Sequence, residues 1–294
     1  MRGWVNKAVK AYLIKKSFKT DKKIIIIESD DWGSLRTRDK ATRDRLNAIN
    51  SKTSKDVYIQ KDSIASENDL EALFEVLNSV RDKNNNPAYL TANVCTANPD
   101  FKAIEANNFQ KFYFKEFSQT LEEYSHKQNL LDLWKEGEQT NLFKPQLHGR
   151  EHLHTPAWLA ELRAGNKDLL KAFELESFGI PYQAKLRQKR KNLQAALDVY
   201  EFEGELNHQK QWIADSTSIF KNTFGYPAKS FIAPAYTWHH NIHQTLAQHK
   251  IKSLQGIQLQ YQPRKQKNSY NRKPHYTGKI DQNSGLNYTV RNAF

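Results

Sequence analysis

Two features are scarce in this sequence of 294 residues: cysteine, which occurs once as Cys95, and long apolar runs. One cysteine cannot form an internal disulfide or a cysteine-rich zinc site. No stretch approaches the about 18 consecutive apolar residues that a transmembrane helix needs. Lys7, Lys10, Lys15 and Lys16 interrupt the apolar segment that a secretory signal would require. These absences predict a cytoplasmic protein.

Acidic residues are also fewer than basic ones, because 45 lysines and arginines stand against 32 aspartates and glutamates, for a net charge of +13. This balance suits a polyanionic neighbour such as nucleic acid, anionic lipid or an acidic polymer. The basic residues are spread along the chain, however, so a generic basic surface explains the same number. No recognisable nucleic-acid-binding module is present, so we expect no specific nucleic-acid partner. The sequence predicts no particular oligomeric state.

Residues 1–20 predict a basic amphipathic helix, with Val5, Val9, Tyr12 and Leu13 on one side. Such a helix can pack against the domain that follows it. Alternatively it can lie on an anionic membrane surface, which would make the protein peripheral at the inner membrane face.

Residues 21–294 predict a single domain. The stretch 22–31 is apolar on both faces, as in a buried parallel strand. A helix over 39–50, a helix with Ser66 as its N-cap and a strand over 88–95 follow it. Strand, helix, strand is the beginning of an α/β architecture.

Later segments continue this pattern with one large interruption. Further strands lead into loops at 143–152 and 229–238, and a mostly helical segment of about 158–223 separates them. We interpret this segment as an insertion before the fourth strand, because it is too long for one crossover helix. Residues 262–279 are polar and basic and predict an exposed loop between two further strands.

Polar residues follow three of the predicted strands, and parallel strands of a β/α barrel end on one face. We therefore expect these side chains to meet: Asp30 and Asp31 after the first strand, His148 and His152 after the third, and Tyr236, Trp238 and His239 after the fourth.

His148 and His152 are four residues apart, a spacing that can bring two imidazoles onto one metal ion. Two histidines and one carboxylate, with open positions for water, suit zinc or another divalent transition metal. Such an ion would also stabilise the crowded carboxylates of Glu28, Asp30 and Asp31, which otherwise repel one another. The alternative is that both histidines are ordinary surface or capping residues.

These segments resemble the motifs of the polysaccharide deacetylase family, the NodB-homology domain or carbohydrate esterase family 4. Its first motif ends a strand in two aspartates, as Asp30 and Asp31 do. Its second begins and ends in histidine, as His148 and His152 do, and its third has a proline and an aromatic, here Pro234 and Tyr236.

The resemblance implies an α/β fold, a distorted (β/α)7-type barrel, with one divalent metal held by Asp31, His148 and His152. That metal would be zinc, with cobalt or nickel as alternatives. Asp30 would be the general base, and a backbone N–H near Tyr236 would help to bind the oxyanion. Candidate substrate-binding residues are Trp32, Arg150, Trp238 and His239, although both tryptophans suit a core equally well.

The sequence departs from the family at several positions. Gly149 stands where the second motif has serine or threonine, and Ile232 replaces the arginine that orients the base, a role that would pass to Arg36 or Arg150. Glu28 is an additional carboxylate and a rival base.

The family's late general-acid histidine is also missing. His249 and His275 have the wrong contexts, and His239 or His240 could substitute only through suitable geometry. A shortened chain lacking its last barrel elements, a divergent subfamily and an inactive sugar-binding relative all explain the gap.

Two rival functions remain. HGREH also fits the inverted zinc-peptidase motif with Glu151 as base, but Gly149 favours a strand and loop over the helix that motif needs. A basic protein that binds nucleic acid or acidic glycan without catalysis is the other. We predict metal-dependent hydrolysis of N- or O-acetyl groups on a carbohydrate.

Overall fold

The computed structural model describes residues 2–125, 129–186, 193–198, 204–264 and 269–291, with the backbone alone for residues 2–8. The helices are α1 Arg2–Lys16, α2 Lys40–Ile49, α3 Val57–Lys61, α4 Glu67–Ser79, α5 Phe101–Ala106, α6 Phe117–Tyr124, α7 Leu130–Gln139, α8 Thr155–Arg163, α9 Lys167–Glu174, α10 Glu205–Phe224 and α11 His243–Gln248. The strands are β1 Ile27–Trp32, β2 Leu90–Cys95, β3 Ala97–Pro99, β4 Phe114–Glu116, β5 Phe143–Gly149, β6 Ser230–Ile232, β7 Ser253–Gly256, β8 Leu259–Pro263, β9 Tyr270–Pro274 and β10 Asn287–Val290.

A six-stranded sheet organises the molecule, in the order β1-β2-β5-β6-β7-β10. Every neighbouring pair in it is parallel. Helices connect its strands up to β7, and the antiparallel pair β8 and β9 lies between β7 and β10. The predicted α/β class is confirmed. A closed seven-stranded barrel is not seen in the part of the chain that the structure describes, because β1 and β10 both lie at sheet edges.

The sheet curls until its two edges lie close together. Arg291, the residue after β10, forms hydrogen bonds with Glu28 and Asp30 of β1. A flat six-stranded sheet would separate its edges by about 24 Å, at about 4.8 Å per strand spacing. The arginine contacts therefore require a partly closed barrel.

The core has two parts. The larger cluster lies against the sheet and contains the aromatic side chains of Trp134, Phe143, Trp212 and Phe231. The smaller cluster joins α8 and α9 to α2 and α3, around Trp158. The segment predicted as an insertion contains α8, α9 and α10; α8 and α9 belong to the smaller cluster, whereas Trp212 of α10 belongs to the larger one. Residues 187–192 and 199–203 of that prediction lie outside the described residues.

The first strand differs from its prediction. β1 begins only at Ile27, and Ile24, Ile25 and Ile26 are exposed, with no ladder partner. The expected buried strand is wrong over these residues because β1 is an edge strand, and β2 first pairs with it at Ile27.

Two more expectations need correction. Part of the expected loop at 262–279 forms β9, which pairs antiparallel with β8; residues 265–268 lie outside the description. In α1, Leu13 is buried whereas Val9 and Tyr12 are exposed, so the expected apolar side does not pack as a unit. Val5 belongs to the stretch given as backbone alone, and residues 292–294 of the last predicted strand are not described. No described helix has the length and apolar character needed to cross a bilayer.

Candidate active site

Two adjacent aspartates face one cavity at the end of β1. Successive residues of a regular strand point to opposite faces, but the β1–β2 ladder shifts between Ser29 and Trp32, and Asp31 has φ +66°. This left-handed conformation costs a non-glycine residue about 1–3 kcal/mol. As a result Asp30 and Asp31 both line a cavity of about 420 Å³.

His148 and His152 line the same cavity from the end of β5. Gly149 between them has φ +108°, and a Cβ placed there would lie 1.9 Å from Cη2 of Trp212. Neither the backbone nor the space admits the serine or threonine of the family motif. The turn at Gly149 lets the chain bring back His152, whose ring centroid is 5.1 Å from that of His148.

The hydrogen bonds of His148 indicate a proton or a metal ion between its ring and Asp31. Its Nδ1 lies 2.8 Å from the carbonyl oxygen of Ile232, which can only accept, so Nδ1 carries a proton. Its Nε2 lies 2.9 Å from Oδ1 of Asp31, another acceptor. A neutral imidazole would therefore direct a lone pair at a carboxylate, unless a proton or a metal ion lies between them.

The pKa shifts of this pair reflect the same attraction. Burial alone would raise the pKa of Asp31 and lower that of His148. For Asp31, burial is outweighed by the neighbouring His152, by the hydrogen bond and charge of His148 and by the charge of Arg36, so its pKa falls well below its usual range. For His148, the hydrogen bond and charge of Asp31 outweigh burial, so its pKa rises.

His152 has the properties of a neutral ligand. Its Nε2 lies 3.4 Å from the same Asp31 oxygen, and its buried Nδ1 has no hydrogen-bond partner among the described residues. Burial lowers the pKa of His152 to about 3 despite the attraction of Asp31, and Arg36 lowers it further. An unprotonated, incompletely bonded imidazole beside a carboxylate fits a divalent metal.

Cys95 was not among the predicted residues. Donor atoms of Asp31, Cys95 and His148 lie within 4.8 Å of one another, so a second ligand set shares two members with the predicted one. Burial, followed by the charge of Asp31, raises the pKa of the Cys95 thiol well above its ordinary value. The position of Cys95 at the carboxyl end of a predicted strand was a signal that could have indicated it.

Arg291 orients Asp30. Its Nη1 and Nη2 lie 2.6 Å from Oδ2 and Oδ1 of Asp30, and Nδ2 of Asn93 donates to Oδ1 at 2.9 Å. Burial would raise the pKa of Asp30, but the bonds from Arg291 and the charge of His148 outweigh it and lower that pKa. Asp30 is therefore a carboxylate at neutral pH.

Neither arginine expected in this role occupies it. Arg36 bonds to Asp31 and Asp62, and Arg150 bonds to Glu151 and Asp215. No sequence signal indicates Arg291, which is 261 residues from Asp30.

Glu28 anchors Arg291. It accepts hydrogen bonds from Nε of Arg291 at 2.9 Å and from Nε2 of Gln255 at 3.1 Å. The first contact holds the arginine against β1 and the second holds Glu28 itself, so Glu28 acts on Asp30 through Arg291. We find no support for Glu28 as a rival base.

The predicted substrate-binding residues have different surroundings. Trp32 lines a second cavity of about 290 Å³, which shares Asp30 and Asp31 with the first, and its ring packs edge-to-face on Trp134. Trp238 is only 2% exposed, donates to Nε2 of His243 and cannot offer a face to a sugar.

Arg150 and His239 are also placed away from the two cavities. The Arg150 guanidinium is occupied by its carboxylate partners and lies over the rings of Phe112 and Phe114. His239 accepts from the amide of Asn241 and lines neither cavity. Of the four predicted substrate-binding residues, the structure brings only Trp32 to the site.

Tyr236 lines the first cavity and has a left-handed backbone, with φ +52°. Its hydroxyl lies 3.4 Å from Nη1 of Arg291. Its amide donates to the carbonyl of Ala233, and the next amide donates to Pro234. Both N–H groups already donate to backbone carbonyls, which argues against the expected binding of an oxyanion by an N–H at this position.

The histidines considered as general acids have other partners. His249 bonds to Thr217, His275 to Gln260 and His240 to Gln262. The described histidines that line the two cavities are His148 and His152.

No protein-family model matches the chain, and none of the curated proteins matches it by sequence. Solved structures similar to it include deacetylase PplD from Streptococcus pyogenes in complex with acetate, with 10% identity, TM-score 0.36, and 92% of this chain and 93% of that one covered. A polysaccharide deacetylase from Bacillus cereus has 10% identity and TM-score 0.35, over 92% and 65% of the two chains.

A 4-alpha-glucanotransferase from Thermococcus litoralis has 10% identity and TM-score 0.38; 90% of this chain matches only 27% of its length. Similarities this remote do not establish a family.

Proposed function

We propose that this protein is a metal-dependent hydrolase that removes N- or O-acetyl groups from a carbohydrate. One observation carries the proposal: Nε2 of both His148 and His152 approaches the same oxygen of Asp31, beside an ionised Asp30 held by Arg291. This is a ligand set next to a base, the combination that metal-assisted hydrolysis needs.

Asp31, His148 and His152 would hold the ion, with zinc preferred and cobalt or nickel as alternatives. We favour His152 over Cys95 as the third ligand because Nε2 of His152 approaches the same Asp31 oxygen as His148 does, and Nδ1 of His152 has no hydrogen-bond partner among the described residues. When bound, the ion polarises the acetyl carbonyl and lowers the pKa of a water molecule.

The chain's own residues perform the proton transfers. Asp30 accepts the proton of the attacking water, and Arg291 and Asn93 fix its orientation. The proton that Asp30 takes from the water then passes to the leaving group. Asp62 lines the cavity that shares Asp30 and Asp31, but we assign it no acid role, because its carboxylate accepts a hydrogen bond from the Arg36 guanidinium.

We interpret the curled sheet as the partial (β/α)7-type barrel of a deacetylase, with Arg291 spanning the opening between β1 and β10. We also propose a cytoplasmic location, because the single cysteine cannot form the internal disulfides that are common in secreted proteins.

The test combines metal analysis with acetate release. We expect about one metal ion per chain, lost in a His148→Ala, His152→Ala variant but retained in Asp30→Asn and in the control His239→Ala. Acetate release from acetylated chito-oligosaccharides and O-acetylated xylan should fail in the first two variants and persist in the control. Absence of metal from every form, even after addition of excess zinc, would reject the mechanism and favour a non-catalytic glycan-binding protein.

A further inference from the structure

A segment near the N-terminus exposes apolar side chains that a folded protein normally buries. The exposed fractions of Ile24, Ile25 and Ile26 are 60%, 90% and 72%, and Ile27 follows at 40%. Single exposed aliphatic residues are common, but a continuous run is typical of an interaction surface. These isoleucines lie before the edge strand β1 and have no ladder partner.

Helix α1 and the residues just after it also expose apolar side chains. Tyr12, Ile14 and Phe18 have exposed fractions of 58%, 52% and 67%. The helix is nevertheless attached to the domain, because Leu13 is buried and the amide of Phe18 donates to the carbonyl of Thr277 at 2.8 Å. The exposed side chains therefore belong to an ordered element. We call residues 9–27 the basic apolar segment.

The charges of the basic apolar segment indicate the chemistry of the surface that it would contact. The segment contains six exposed lysines and one acidic residue, Asp21; the lysines are Lys10, Lys15, Lys16, Lys19, Lys22 and Lys23. Lysines among exposed apolar side chains suit an anionic lipid surface, where the apolar groups enter the interface and the ammonium groups meet the headgroups. A second copy of this chain would bring like charges together, and lysines next to an edge strand oppose strand pairing.

We propose that the basic apolar segment docks the protein on an anionic membrane surface. Ile27 begins β1, and Asp31 lies roughly 13 Å further along the strand at about 3.3 Å per residue. The segment and the aspartate cavity are therefore at opposite ends of β1. The inference does not depend on the proposed deacetylase activity.

Vesicle sedimentation of the full chain tests this proposal, with phosphatidylcholine vesicles compared with mixed phosphatidylcholine–phosphatidylglycerol vesicles. We expect binding to the mixed vesicles to exceed binding to the neutral ones by about tenfold or more, and to weaken as salt is added. A variant with Ile24→Ser, Ile25→Ser and Ile26→Ser should lose about tenfold in partitioning. A variant with Lys19→Gln, Lys22→Gln and Lys23→Gln should lose the preference for anionic lipid.

Matched controls change exposed residues elsewhere: Ile49→Ser with Ile280→Ser, and Lys210→Gln with Lys221→Gln and Lys250→Gln. Both should bind as the unaltered chain does, and circular dichroism should show every variant folded. Equal binding to both kinds of vesicle, no binding to either, or equal losses in the controls would overturn the proposal. Isoleucine-dependent dimers in light scattering, without vesicle binding, would assign the surface to a second copy instead.

Discussion

At the scale of single residues, the site depends on an arginine that no motif includes. The residue-by-residue resemblance left the base without its orienting arginine, since Ile232 occupies that position. Arg291 supplies a bidentate contact to Asp30 from the opposite edge of the sheet. Planar guanidinium groups hold carboxylates in this way better than lysine can. Arg291 is therefore a positioning residue, acting on the reaction through Asp30.

Replacing Arg291 with alanine should move the pH dependence of catalysis in a defined direction. The arginine lowers the pKa of Asp30, and the base works only when ionised. Without it the pKa rises, so the loss of kcat/KM on acidification should begin at a higher pH. We also expect kcat/KM at neutral pH to fall roughly tenfold to a hundredfold. Arg272→Ala, at an exposed position in β9, is the control and should leave the pH profile unchanged.

Cys95 allows a spectroscopic test of the ligand set. A thiol that burial keeps protonated is a poor ligand, so Cys95→Ser should retain the metal that His152→Ala loses. The cobalt-loaded protein should show no sulfur-to-cobalt charge-transfer absorption in the near ultraviolet. An intense band that disappears in Cys95→Ser would instead assign the Asp31, Cys95 and His148 set.

At the scale of elements, the carboxyl end of β5 depends on α10. Trp212 of this helix fills the space beside Gly149 and donates its indole N–H to Glu151 at 2.9 Å. That packing fixes the turn between the two histidines. The glycine is thus a consequence of helix packing on the sheet.

Gly149→Ser, which restores the family's residue type, should destabilise the protein by about 3 kcal/mol or more, since overpacking and a left-handed backbone both oppose it. Gly225→Ser is a matched control, because Gly225 has φ +81° with no atom within 4 Å of a built Cβ, and it measures the backbone cost alone. Urea denaturation gives both values. Equal losses would show that Trp212 exerts no steric constraint.

At the scale of the whole molecule, the site joins distant parts of the chain. Ligand candidates come from β1 and from the end of β5, while the arginine follows β10, the last strand described. An ion bound by the residues of β1 and of the end of β5 would therefore stabilise the native sheet as a whole, because the unfolded chain cannot present those groups together.

Metal removal should accordingly lower thermal stability. An ion at about a hundred times its dissociation constant stabilises the native state by about 3 kcal/mol. We expect dialysis against a chelator to lower the melting temperature by about 5 °C or more, and added zinc to restore it. The His148→Ala, His152→Ala variant should melt at one temperature under both conditions; an equal response of this variant to the chelator would place the ion elsewhere.

Short-range patterns of residues were enough to predict the fold class and part of the candidate site. The succession of apolar strands and capped helices along the chain indicated the α/β class, and the positions of Asp30, Asp31, His148 and His152 at strand ends indicated a shared cavity. The spacing HxxxH and the adjacent aspartates are short-range patterns, so they can be recognised without knowledge of the fold.

The tertiary structure alone decided which residues complete that cavity and which leave it. Arg291 reaches Asp30 because the sheet curls, and Trp238 is buried because the β8–β9 hairpin and α11 pack around it. Ile24, Ile25 and Ile26 have the composition of a buried strand but precede an edge. Burial depends on what packs against a residue, and that is set by contacts between segments far apart in the chain.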